Sequence, residues 1–364
     1  MTLASLSSID KLSPSRLDRM ASGLTYGLIL IHFLALISVG FILFSPPAHA
    51  DEDLTCGARD LVADLEKSDP AAYQKLKAQG DKVKNSTHRF WKLEKAGQPT
   101  DWLLGTIHVA DPRVTDLPPE AKAAYDSAKT VILESDEILD AKKASLKLFA
   151  QPGLMMFTDA KTLVDYLSPD DQKVLEKALM GRGIPLGSVV KMKPYILTSM
   201  VALSTCEISR KSKGVPFLDQ KLAVEAQAAG KEVKGVETLQ EQIEAMASMP
   251  MEFHIRSLMS TVRYPDYTRD MLETTIKLYL RSEIGMIFPA GAYFAPEKKA
   301  SDFKDINEFE NRLVTQRNHH MADRGESMLA KGDVFMAVGA LHLIGDEGLV
   351  ELFRAKGYTV TPVD

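Results

Sequence analysis

The sequence predicts an α/β fold: a mixed, largely parallel sheet from two βαβ-containing halves, with a helical insertion. Two observations carry this expectation. Residues 102–134 read as strand, loop, helix and strand, and residues 334–363 repeat that order. Between them lies mostly helical-period sequence, about 140–212 and 239–331, interrupted by one further short strand.

The elements follow from local chemistry. Leu61 to Ala78 has the spacing of a helix. Arg89–Lys95 alternates, Ala96-Gly97-Gln98-Pro99 turns, and Trp102–His108 runs back, which is a hairpin signal. Pro118 to Lys129 is helical, with proline early in the first turn where its missing N–H costs nothing. Thr130–Glu134 is a short buried strand, so 102–134 forms a βαβ unit with a right-handed crossover. Ser168 and Pro169 start a helix as N-cap and first position. Met192 to Cys206 reads as one apolar helix, and Pro216 to Ala229 as another, ended by Gly230. Glu232–Glu237 is a strand, 239–287 is helical, and Asp305 to Lys331 is one long helix stopped by Gly332. Val334–His342 is a strand, Glu347–Ala355 a helix, and Tyr358–Val363 the last strand.

The chain has 364 residues, 45% hydrophobic and 26% charged, which suits a globular protein with a sizeable core. Its net charge of -5 and the lack of any Lys/Arg-rich run argue against a nucleic-acid partner. Residues 1–50 have the layout of a secretory signal. Lys11, Arg16 and Arg19 precede an uncharged apolar run, Leu24 to Phe44, and Ala48-His49-Ala50 offers a cleavage site. The run is long enough that residues 24–44 could stay as a membrane anchor. Either way residues 51–364 are expected outside the cytoplasm, periplasmic or secreted, or anchored at the inner membrane and facing the periplasm. That setting permits Cys56 and Cys206 to pair; two buried free thiols are the alternative.

In open α/β sheets, ligands bind beyond the carboxyl ends of the strands. The expected strands end in His108, Glu134, Glu237 and His342. Such side chains are rarely buried without partners, and their convergence suits a divalent transition metal with a position left for water. Gly105 and Gly339 each stand three residues before a histidine, and a strand glycine implies a close approach to the backbone by a helix or a substrate. The bare Gly-x-x-His pattern is weak: 22 Gly and 8 His give about half a match by chance. Two matches that both end apolar strands of βαβ units are a stronger signal. His319 and His320 are adjacent on a helix, about 100° apart, so they are expected at the surface. His88 and His254 are expected to be structural or exposed, and the methionine-rich Met246–Met259 stretch to be core or the lining of a groove.

Several segments together resemble the TraB/GumN family over roughly residues 54–364. They are Leu103-Leu104-Gly105-Thr106-Ile107-His108-Val109, Val131-Ile132-Leu133-Glu134, Gly214-Val215-Pro216-Phe217-Leu218-Asp219, Val236–Gln242, Gln316-Arg317-Asn318 and Val338–Gly345. The resemblance implies kinship with Tiki metalloproteases and, more distantly, with erythromycin-esterase-like and ChaN-like proteins. It implies an active site at His108, His342 and Glu134, with Arg317 and Asn318 on a late helix. The expectation is an exported, metalloprotease-like hydrolase that cleaves a peptide or ester bond of a peptide or small-molecule substrate. His108, His342 and Glu134 would hold a divalent ion (Mn, Co or Zn), and Glu134 or Glu237 would act as general base. Arg317 would steady negative charge or clamp an anionic group, or form a salt bridge to Glu134 or Glu237, with Glu237 then an arginine's structural partner; Asp219 would contact substrate or simply favour its helix N-terminus. The alternatives are a binding protein that sequesters a peptide or small molecule, and a metal-free esterase.

Overall fold

The computed structural model describes residues 56–297 and 308–363; the expected signal or anchor at 1–50 lies outside them. Among the described residues no helix is long and apolar enough to cross a membrane. The chain opens with α1 (Leu61–Ser68) and α2 (Pro70–Gly80) where the sequence suggested one helix. Asp69 caps α2 by accepting from the Ala72 N–H, and Pro70 follows it, which ends α1.

A single six-stranded sheet forms the centre: β1 (Phe90–Glu94), β2 (Asp101–Thr106), β3 (Thr130–Leu133), β4 (Glu232–Gly235), β5 (Val334–Gly339) and β6 (Thr359–Pro362). Its order is β4-β3-β5-β2-β1-β6. The run β4-β3-β5-β2 is parallel, and β1 is antiparallel to both its neighbours. The two strand–helix–strand halves therefore interleave. The late strand β5 sits between β2 and β3, so the crossover from β2 through α3 (Pro119–Ser127) skips one position. The final strand leaves its half and closes the opposite edge beside β1.

Period two decides which side chain meets which layer. On β5, Phe335 and Ala337 pack on one face with α3 and with α4 (Leu218–Ala228), through Tyr125, Leu222 and Ala226. Val334, Met336 and Val338 pack on the other face, against helices from both ends of the chain, through Leu76, Met271, Met321 and Phe353. This two-sided burial explains why Val334–Val338 reads as a continuous apolar run rather than an alternating one.

The insertion is more segmented than its sequence suggests. Met192–Cys206 divides into Pro194–Val201 and Thr205–Ser212, because Ser204 caps the second helix by accepting from the Glu207 N–H. The 239–287 region divides at Pro250 and Pro265 into Leu239–Ala247, Met251–Arg263 and α5 (Pro265–Leu280). In the described part of the last long helix, a widened turn at Glu310–Thr315, with i→i+5 bonding, precedes α6 (Gln316–Leu329). Met246, Met249 and Met259 are all buried in the insertion's own apolar clusters. Cys56 and Cys206 form a disulfide, with Cα atoms 5.8 Å apart across 150 residues of sequence.

One buried carboxylate lies far from the strand ends that matter for function. Asp101 Oδ1 accepts from the Val334 N–H at 2.9 Å, and Oδ2 is buried with no partner. Burial pushes this group up to about 7, against the pull of the Val334 N–H. Its folded pKa thus exceeds its unfolded value, so the folded chain binds the extra proton between roughly pH 4 and 7. Stability from this group is highest below that window and falls as pH rises through it. Asp101→Asn, which accepts the same N–H without a charge, is expected to flatten the trend. Relative to wild type it should gain on the order of 2 kcal/mol at pH 8 and little at pH 4. Thermal melts at the two pH values check this; an equal change at both would contradict it.

Candidate active site

The carboxyl edge of the parallel strands gathers the ionisable groups. Thr106 ends β2, and His108 follows two residues later. Glu134 directly follows β3, and Glu237 lies two residues beyond β4. His342 lies on a short turn, Ala340–His342, immediately after β5, rather than in the strand itself. The two strand glycines allow this crowding. A Cβ at Gly105 would meet Ala340 Cα at 2.9 Å, so the glycine admits the His342 turn against β2. A Cβ at Gly339 would meet Glu134 Oε1 at 3.1 Å, His342 Cδ2 at 3.5 Å and His108 Nε2 at 3.8 Å. Both close approaches come from the protein's own groups.

The imidazoles face one carboxylate oxygen. His108 Nε2 lies 3.7 Å and His342 Nε2 3.8 Å from Glu134 Oε1. Each ring is braced from behind. His342 Nδ1 is 2.6 Å from Asn318 Oδ1, and the Asn318 amide donates to the Glu347 carbonyl at 2.8 Å. With its NH₂ spent there, Asn318 offers an acceptor, so His342 Nδ1 carries the proton and Nε2 holds a lone pair. His108 Nδ1 lies 3.2 Å from Asp219 Oδ2, off the line of a good hydrogen bond. Asp219, on the first turn of α4, is itself held by the Thr106 hydroxyl at 2.9 Å.

Arg317 ties the carboxylates together. Its Nη2 donates to Glu134 Oε2 at 2.8 Å and to Glu237 Oε2 at 2.7 Å, and its Nε reaches Glu237 Oε1 at 3.0 Å. Nη1 donates to the Leu313 carbonyl in the widened turn at 3.2 Å. The guanidinium is thus a clamp between two buried carboxylates, the salt-bridge alternative of the two readings the sequence offered. Glu237 has both oxygens on Arg317 and is that arginine's structural partner. Glu134 Oε1 also accepts from the Gly339 N–H at 2.7 Å.

The charges follow from these contacts. Burial pulls His108 down, but Asp219 and Glu134 outweigh it and hold it up to about 10. Burial and the Arg317 charge push His342 down to about 3. Glu134 is held well below the carboxylate range because Arg317 and the histidines overcome burial. The two rings are therefore pulled in opposite directions, a separation of environments typical of sites that do chemistry, and a ring that ligates an ion does so through a deprotonated Nε2.

The segment after His108 is fixed by the insertion. Glu207 Oε1 accepts from the Ala110 N–H at 2.5 Å, and Arg210 reaches Asp111 at 3.2 Å. Both come from the helix that the disulfide anchors through Cys206. A small pocket of about 40 Å³, open on one side, joins His108, Glu134 and His342 to Tyr279 and Ile287.

All seven residues singled out from sequence, His108, Glu134, Asp219, Glu237, Arg317, Asn318 and His342, lie in this cluster. Sequence reasoning missed Gln242, whose amide donates to Glu134 Oε2 at 3.0 Å, and the roles of Thr106 and Tyr279. The available signal for Gln242 was the capping box formed by Thr238 and Glu241, which sets the helix phase one residue before it. His319 is exposed and pairs with Glu347, while His254 is buried, 4.8 Å from the Tyr195 ring and pushed down to about 4 by burial.

The family model described as TraB/PrgY/gumN matches residues 89–362, which contain every one of these groups. The chain belongs to the TraB/PrgY/gumN family. Among curated relatives of this member is "Metalloprotease TIKI homolog" of Nematostella vectensis, 25% identical over 76% of this chain and 67% of its own length. "Metalloprotease TIKI1" of Xenopus tropicalis is 25% identical over 74% of this chain and 60% of its own. "Metalloprotease TIKI1" of Homo sapiens is 24% identical over 74% and 61%. This family member thus spans about two thirds or less of those relatives. No solved structure matches it.

Two imidazole Nε2 atoms and one carboxylate oxygen near both are donors of the type that divalent ions take. The carboxylate is already bonded on each oxygen. Among the described residues no group of three or more His, Cys, Asp or Glu is arranged as a ready-made metal cluster.

Proposed function

We propose that the protein is an exported, metal-dependent hydrolase that cleaves a peptide bond, acting in the periplasm or at the outer face of the inner membrane. One observation carries the reading: His108 Nε2 and His342 Nε2 lie at nearly equal distance from Glu134 Oε1, each ring with a second-nitrogen partner. The curated names of the relatives, metalloproteases, support it at the level of reaction class. The signal layout of residues 1–50 supports export.

His108, His342 and Glu134 would hold the ion. When bound, a divalent ion of the Mn, Co or Zn kind supplies Lewis acidity toward a carbonyl and toward water. The chain's residues do the rest. Asn318 holds the His342 ring by a hydrogen bond, Asp219 stands behind His108 as a counter-charge, and Arg317 keeps Glu134 ionised and stationary. Tyr279 and Ile287 keep the adjoining space apolar, which strengthens the electrostatics at the polar edge.

A mixed peptide library incubated with the purified chain and Mn, Co or Zn is the direct test. Turnover that a chelator abolishes and one of these ions restores is the expected result. Turnover indifferent to chelator would instead support a metal-free esterase-like mechanism. A second reading, a protein that sequesters a peptide, is favoured by one observation: both Glu237 oxygens, and both of Glu134's, are already committed within the protein. Recovery of intact peptide after long incubation with ion-loaded protein would favour it.

A further inference from the structure

The pocket has two unlike sides. One is the polar edge of His108, Glu134, Arg317 and His342; the other is a wall that includes Ile107, Thr275, Tyr279, Ile287 and Leu341. The wall contains hydroxyl groups, but each is spent inside the protein. Tyr279 donates to the Gly105 carbonyl at 2.9 Å, and Thr275 to the Met271 carbonyl at 2.8 Å. Thr106, at the seam between the two sides, donates to Asp219 at 2.9 Å. A substrate group lodged against this wall therefore meets carbon.

The wall is also stiff. The Tyr279 ring is held by its hydroxyl and covered by the Arg89 guanidinium 4.6 Å from its centroid. Thr275 stands one turn earlier on α5, and Ile287 enters from the next helix. Thr275, Tyr279 and Ile287 are each at most 2% exposed, so the recess is narrow. A rigid, narrow, carbon-lined recess rejects a charged group, which would lose its water without finding a partner, and rejects a bulky ring by overlap.

We propose that this recess is the specificity pocket, and that the substrate is a peptide with a small aliphatic side chain, alanine to valine in size, next to the scissile bond. The proposal rests on the hydrolase reading above. Its test separates the two. Turnover is measured with the full chain on peptides that differ only at one residue beside the cleaved bond: Gly, Ala, Val, Leu, Phe, Asp or Lys. In parallel, calorimetry measures binding of the N-acetyl amides of the same amino acids.

Ala and Val are expected to exceed Asp and Lys by at least about 100-fold in kcat/KM, and Leu and Phe by about tenfold. Ile287→Ala should move the optimum toward Phe. Ile287→Val, a one-methyl change that a core tolerates, should move it the same way by a smaller factor and guards against a folding failure. Turnover that is flat across the series, or highest for Asp or Lys, overturns the pocket and leaves hydrolysis standing. Aliphatic-selective binding with no turnover keeps the pocket and overturns hydrolysis. Neither binding nor turnover overturns both.

Discussion

His108→Ala and His342→Ala are each expected to lower peptide turnover by at least about 100-fold while the chain stays folded. Both rings address the same Glu134 oxygen, so losing either removes half of the only imidazole pair at the strand ends among the described residues. The structural cost differs between them. His342 is 2% exposed and its loss orphans Asn318 Oδ1, which costs about 1–3 kcal/mol. His108 lies at the pocket and its removal leaves Asp219 still bonded to Thr106. Asn318→Ala separates orientation from direct participation. It keeps both rings but frees one, and a loss of about 10–100-fold is expected, smaller than for either histidine. The check is kcat/KM for the three variants beside their thermal melts. Wild-type turnover in His108→Ala would remove the site assignment.

The sequence disclosed the strand ends better than it disclosed the sheet. His108, Glu134, Glu237 and His342 were placed by one rule, that parallel strands point their carboxyl ends at the ligand, and the structure brings all four to that edge. The order of strands was not legible. Nothing local in Val334–Gly339 says that it enters between β2 and β3, because that choice depends on how two helical layers pack, not on its own period. Helix breaks at Asp69-Pro70, Ser204, Pro250 and Pro265 were written in the sequence as caps and prolines, but an apolar period running across them masked the signal. The glycines show the same limit. Their spacing announced a close approach, yet only the fold reveals that Ala340 crowds Gly105 and Glu134 crowds Gly339.

The role of Arg317 shows how the fold chooses between readings that residue type leaves open. An arginine near two histidines suggests a hand for a developing anion, and the residue is indeed in the cluster. Its fork, however, is filled by Glu134, Glu237 and the Leu313 carbonyl. The widened turn just before α6 supplies that last acceptor and precedes two adjacent inward side chains, Arg317 and Asn318. Adjacent residues on a regular helix surface diverge by about 100°, so burying both requires that the helix be enclosed at this point. Enclosure is what the insertion provides: Leu313 packs in its apolar cluster with Phe253 and Phe309.

Arg317→Met is therefore expected to act first on stability. Glu134 and Glu237 are 5% and 6% exposed, and both share Arg317 Nη2. Removing the guanidinium leaves two buried carboxylates without the counter-charge they share. A loss of about 3–5 kcal/mol is expected, against a near-neutral outcome had the arginine been solvated. Arg317→Lys should recover only part, since a single ammonium cannot satisfy Nε and Nη2 contacts at once. The decisive comparison is the double variant Arg317→Met with Glu237→Gln. Neutralising Glu237 removes one of the two stranded charges, so the pair should be more stable than Arg317→Met alone by at least about 1 kcal/mol. Denaturant melts of the two single variants and the double provide the cycle. Strictly additive losses would mean that Arg317 supports the fold through its packing and not as the counter-charge of this carboxylate pair.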